Sequence, residues 1–182
     1  MKTLIIHPKD YTTDFLEPIY YGLNDKTVLR EDFSMDHLSA LIENHDRVLM
    51  MGHGSPNGLF SMGLTTDHST FVIDNRLVEI LAKKSNNVFI WCHADVFVRS
   101  NNLKGFSTGM FISEPLEALL YKVQVDSKKQ IEVSNTSFAA IVSKSILVPQ
   151  EEMHLKVQQQ YRAQNIENPV AVFNASRLFL FQ

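Results

Sequence analysis

Two short apolar runs, Val48-Leu49-Met50-Met51 and Val88-Phe89-Ile90-Trp91, constrain this chain more than any other feature. Each has the length of a buried strand and is bounded by polar residues. The first runs into Gly52-His53-Gly54 and the second into Cys92-His93-Ala94-Asp95. Between them, Asp74 to Lys84 carries Leu77, Ile80 and Leu81 at helical spacing, so the region reads as a strand-helix-strand crossover. Parallel strands joined in this way end on the same edge of a sheet. That edge would bring together His53 and Cys92, although they stand far apart in sequence.

The flanking segments extend the same pattern. Leu4 to Ile6 and Lys26 to Leu29 read as strands, with a helix over Tyr11 to Leu23 between them, interrupted by Pro18. Ser34 is placed to cap a helix ending near Asn44. The resulting β-α-β-α-β order predicts an α/β fold, a three-layer sandwich with a mostly parallel central sheet. Ser55 to Thr70 reads as a loop, with a short strand or lead-in over Thr70 to Ile73, and Arg99 to Gly105 as another loop. Phe106 to Ile112 reads as a strand. Ser113-Glu114-Pro115-Leu116-Glu117 is a helix start, with Leu116, Leu119, Leu120 and Val123 expected inward. Helices over Asn135 to Leu147 and Gln150 to Gln164 follow, and Pro169 to Phe181 suits an edge strand or hairpin.

Length and composition limit the function classes. At 182 residues, without an internal repeat or linker, the chain is expected to form a single domain over 1–182. A net charge of −3 gives no electrostatic case for nucleic acid. No apolar run approaches the roughly 20 residues of a membrane span, and the first residues lack a secretory pattern, so the expectation is a cytoplasmic protein. One cysteine excludes an intramolecular disulfide framework.

A thiol becomes a useful nucleophile when a base can take its proton, and histidine suits that task near neutral pH. Cys92 and His53 at neighbouring strand ends meet the geometric need. Gly54, without a side chain, lets its N–H point at a substrate carbonyl, and with the N–H of Cys92 it would complete an oxyanion hole. His93 points opposite to Cys92 on an extended segment, which favours a structural hydrogen bond. Asp95 could orient His53, select a basic substrate side chain or cap its loop, and Glu114 could also meet a basic side chain. His7 lies on the same edge, and Asp67 and His68 lie in the long loop. Zinc is a rival occupant for His53, His68, Cys92, His93 and Asp95, but no paired-ligand spacing supports it. A phosphate cradle at Gly52 to Gly58 lacks the P-loop lysine.

The Gly52-His53-Gly54 and Cys92-His93-Ala94 strand ends, separated by close to forty residues, resemble the caspase-like cysteine peptidases, which include caspases, metacaspases, gingipains and separase-related enzymes. The Cys-His-Ala step looks most like the metacaspase form. The resemblance covers the order of elements from Met1 to Ile112, and Asp95 departs from it where relatives commonly have glycine. It implies a caspase-like, flavodoxin-related topology. It also implies a peptide or protein substrate, His53 as general base or acid, Cys92 as nucleophile, Gly54 as an oxyanion amide, and no cofactor or metal. The alternatives are a catalytically inactive caspase-like module that binds a protein, and a flavodoxin-like small-molecule binder. The sequence leaves the oligomeric state open.

Overall fold

Apolar residues that alternate between the two faces of consecutive strands build this fold. The computed structural model describes residues 1–31, 34–62 and 69–182. Its main sheet contains β1 (Thr3–Ile6), β2 (Lys26–Leu29), β3 (Arg47–Met51), β7 (Val88–Ile90), β8 (Gly105–Thr108) and β9 (Leu178–Phe181). The strand order is β2-β1-β3-β7-β8-β9. All neighbours are parallel except β8 and β9, which pair antiparallel.

Ile5, Leu49, Met51, Val88, Ile90 and Phe106 face one side. There they pack against α1 (Pro18–Tyr21), α6 (Lys128–Ser145), α7 (Gln150–Gln164) and α8 (Pro169–Ala175). Leu4, Ile6, Val48, Met50, Phe89 and Trp91 face the other side, against α2 (Met35–Glu43), α3 (Val78–Leu81) and α4 (Ala94–Ser100). A two-sided apolar sheet must be covered on both faces. The result is an α/β protein with helices on either side of a mostly parallel sheet.

Several local expectations need correction. The Tyr11–Leu23 helix is a 3₁₀ turn over Asp14–Leu16 followed by α1, because Pro18 can occupy only the first turn of a helix. Likewise Asn75–Leu77 is a 3₁₀ turn ahead of the short α3. Within the loop expected over Ser55 to Thr70, Ser55 and Gly58–Phe60 are strand. A second sheet contains β4 (Gly54–Ser55), β5 (Gly58–Phe60) and β6 (Phe71–Ile73), and β6 falls in the short strand or lead-in expected over Thr70 to Ile73. Asp67 and His68 lie outside the described residues. Seven-residue α4 begins at Ala94, after the cap residue His93, and its last two residues, Arg99 and Ser100, begin the stretch expected to be loop. β8 stops at Thr108, well short of Ile112. α6 starts at Lys128, seven residues ahead of the expected Asn135.

Two further corrections bear on the site. The segment from Pro169 is helical before it becomes a strand: Asn168 accepts from the N–H groups of Val170 and Ala171, and Pro169 takes the first helical position. Leu116, Leu119 and Leu120 of α5 (Pro115–Leu120) are 65%, 73% and 69% exposed, not inward, and Ala118 is the buried residue of that helix. Asn174 fixes the approach to α5 by accepting from Ile112 N at 2.8 Å and donating to Ile112 O at 2.9 Å.

Candidate functional site

The carboxyl ends of β1, β3 and β7 form one edge, and three polar groups follow them in chain order. His7, after β1, is fully buried; Nδ1 lies 3.1 Å from the Tyr20 hydroxyl and Nε2 3.2 Å from Thr13 Oγ1. Burial, assisted by the Arg30 charge, pulls its pKa down to about 4. His7 is therefore a neutral core residue near pH 7.

Asp10 and Thr12 lie in the turn that follows. Thr12 donates from N and Oγ1 to Asp10 Oδ1 at 2.9 and 2.7 Å. Burial alone would raise the Asp10 pKa, but the two Thr12 hydrogen bonds and the His53 charge outweigh it and leave the pKa lowered. His53 Nε2 is 2.6 Å from Thr12 Oγ1 and 3.9 Å from Asp10 Oδ2. Thr12 has one hydroxyl proton, and the Asp10 carboxylate takes it. Its oxygen can then only accept, so in the neutral imidazole the proton of His53 resides on Nε2 and the lone pair on Nδ1.

Gly52 turns the chain out of β3 at φ +145°, and β4 and β5 return as a hairpin beside His53. Phe60 N donates to His53 O at 2.9 Å. Antiparallel alternation then turns the N–H of Gly54, the next residue, away from β5, and Gly54 lines a groove. A Cβ on Gly54 would lie 2.2 Å from Trp91 Cδ1, so glycine is also needed for packing. Trp91 Nε1 donates to Ser55 O at 3.1 Å and pins the hairpin over β7.

Cys92 has a different environment. Its Sγ is 3.4 Å from Phe111 O and 3.7 Å from Glu117 Oε1. Burial, followed by the Glu117 charge, pushes the thiol pKa up to about 12. The other Glu117 oxygen accepts from Ser113 N, Ser113 Oγ and Glu114 N at 2.7, 3.1 and 3.0 Å, which fixes the carboxylate at the start of α5.

No family model, curated protein or solved structure matches this chain. The site has to be read from its own geometry.

His53 and Cys92 share two spaces. One is a cleft of about 20 Å³, walled by Gly52, Trp91 and Phe111 and large enough for a single water. The other is an open groove of about 500 Å³ that Gly54, His93 and Glu117 also line, with Phe60, Met110 and Tyr121 as apolar walls. His53, Cys92, Gly54 and His93 are thus brought together. His93 adopts the left-handed conformation at φ +66°, and its Nε2 lies 3.2 Å from the Tyr121 hydroxyl.

Asp95 and Glu114 are not among the residues that line the groove. Asp95 sits in the first turn of α4, with Oδ1 buried near Gly109 and without a hydrogen-bond partner. Glu114 is the cap of α5. Sequence reasoning missed Asp10, Thr12 and Glu117. The helix start Ser113-Glu114-Pro115-Leu116-Glu117 marked Glu117 as a first-turn acid, but nothing in one sequence linked it to Cys92.

Among the described residues no three His, Cys, Asp or Glu side chains cluster to hold a metal. Among the same residues no helix is long and apolar enough to cross a membrane.

Proposed function

We propose that the chain is a caspase-like cysteine peptidase, with Cys92 as nucleophile and His53 as its proton acceptor. The observation that carries this reading is the convergence of His53, with a free Nδ1, and Cys92 on one groove at the carboxyl edge. The sheet supports it: the first five strands follow the 2-1-3-4-5 order of flavodoxin-like folds, whose ligands bind outside the carboxyl ends near the switch point.

In the proposed reaction, His53 Nδ1 takes the thiol proton as the sulfur attacks the peptide carbonyl. The amides of Gly54 and Cys92 hold the oxyanion. The C–N bond then breaks, His53 returns the proton to the leaving amine, and water hydrolyses the thioester to release the acid and restore the thiol. No cofactor enters these steps. Burial, and after it Glu117, keeps the proton on sulfur at rest, and in the proposed reaction His53 takes that proton only once a substrate fills the groove.

The second reading is a non-catalytic, protein-binding module of the same fold, and the thiol pKa near 12 favours it. A panel of peptidyl acyloxymethyl ketones, with iodoacetamide as the non-directed reagent, separates the two readings. A peptidase gives ketone labelling of Cys92 that saturates with concentration and is lost in His53→Ala. Labelling no faster than that of a free thiol by every ketone, with no cleavage of a peptide library, overturns the peptidase.

A further inference from the structure

At the opposite edge of the sheet, Arg47 opens β3 and is only 3% exposed. Its Nε donates to Thr3 Oγ1 at 3.0 Å, and its Nη1 donates at 2.8 Å to the carbonyl of Ile146, which ends α6. Nη2 is buried without a hydrogen-bond partner. Burial pulls the Arg47 pKa down, and no carboxylate among the described residues offsets it. A guanidinium keeps its proton at any ordinary pH, so a full positive charge is held inside the protein. The C-terminal end of α6 supplies at most about half a negative charge against it.

The start of α7 faces the same place. Arg47, Val148, Pro149 and Gln150 line a cavity of about 170 Å³. α7 is 15 residues long and follows Pro149, which gives no side-chain cap, so its first-turn N–H groups have no partner within the helix. Glu151 and Glu152 of that turn are exposed and pair outward, with Gln182 and Lys156. Exposed Asn86 brings a side-chain amide to the mouth. A second cavity reaches Arg47 from the other side of Leu147, but exposed Asp25 lines it and would repel an anion. Leu147 lines both cavities beside Arg47 and is 70% exposed.

We propose that the cavity between Arg47 and the start of α7 binds a small oxyanion, a phosphate group held by Arg47 Nη2 and the first-turn amides of α7. An unpaired buried arginine and an uncapped helix start lining one cavity supply the fork and the dipole that phosphate recognition uses. The site is independent of His53 and Cys92.

Thermal unfolding of the full chain tests it, in sodium phosphate and in glycerol phosphate against sodium chloride of equal ionic strength. The expected result is a saturable rise of about 3 °C or more in phosphate, absent in Arg47→Met. Arg47→Lys keeps the charge without the fork and raises the half-saturating concentration about tenfold or more; it also carries the test if Arg47→Met does not fold. Tighter binding of glycerol phosphate than of phosphate identifies the headgroup of a larger ligand, and equal binding identifies the free ion. Equal midpoints in phosphate and chloride, or an undiminished shift in both Arg47 variants, would overturn the proposal.

Discussion

The two halves of the groove each set a carboxylate near the group that would exchange the proton, with different consequences. On the β3 side, Asp10 and Thr12 hold His53 in one tautomer and leave Nδ1 open, an arrangement suited to accepting a proton. On the β7 side, Glu117 stands beside Cys92 and opposes loss of its proton. The difference teaches that a histidine and a cysteine at one sheet edge do not by themselves make an ion pair. Proton transfer between them depends on what happens to the carboxylate.

The most severe way to break the comparison is to remove the sulfur. Cys92→Ala is expected to lower peptide hydrolysis by at least about 10³-fold while leaving the melting temperature close to that of the parent. Hydrolysis that survives at more than a few per cent would remove Cys92 from the chemistry.

Acid probes the histidine side. His7 has a folded pKa of about 4 against a reference of 6.5, so the stability it contributes is present above 6.5 and is lost as pH falls toward 4. The full loss is about 3 kcal/mol. Urea unfolding at pH 7 and pH 4.5 should show a smaller drop for His7→Gln than for the parent, and equal drops would contradict the assignment.

A smaller effect isolates the His53 tether. Thr12→Val removes the hydroxyl that bridges Asp10 and His53, and hydrolysis should fall about tenfold, the value of one hydrogen bond to a charged network. Iodoacetamide labelling of Cys92 should not change, because Thr12 acts on the imidazole alone. The mildest substitution sharpens the other half. Glu117→Gln keeps the cap of α5 but removes its charge, so the thiol pKa should drop and alkylation at pH 8 should quicken by about 3- to 10-fold. An unchanged rate would leave burial as the whole cause of the raised pKa.

The sheet was legible because its strands are short apolar runs bounded by polar turns; β1, β2, β3 and β7 fall where Leu4, Val28, Leu49 and Phe89 lead one to expect them. α2 was legible through its cap, Ser34, whose side chain accepts from His37 N. Of the small β4–β6 sheet only β6 was legible, in the apolar run at Phe71 to Ile73; β4 and β5 were not, because two- and three-residue strands lack a period to read. α5 misled for a related reason: its leucines have helical spacing, yet one-turn-and-a-half helices follow the loop that anchors them, here Ile112 on Asn174. Within the site, His53, Cys92 and Gly54 declared themselves by position at strand ends. Asp10, Thr12 and Glu117 did not, since ordinary turn and cap residues acquire their roles only from neighbours distant in sequence.

Trp91 is the only tryptophan in the chain, and it lies directly beneath the hairpin that carries His53 and Gly54. Its indole N–H is bound to Ser55 O, so the protein's one indole fluorophore reports on one hydrogen bond. A peptide that lifts or tightens the hairpin changes the polarity around that indole and shifts its emission. Groove occupancy can therefore be followed by light and without a label.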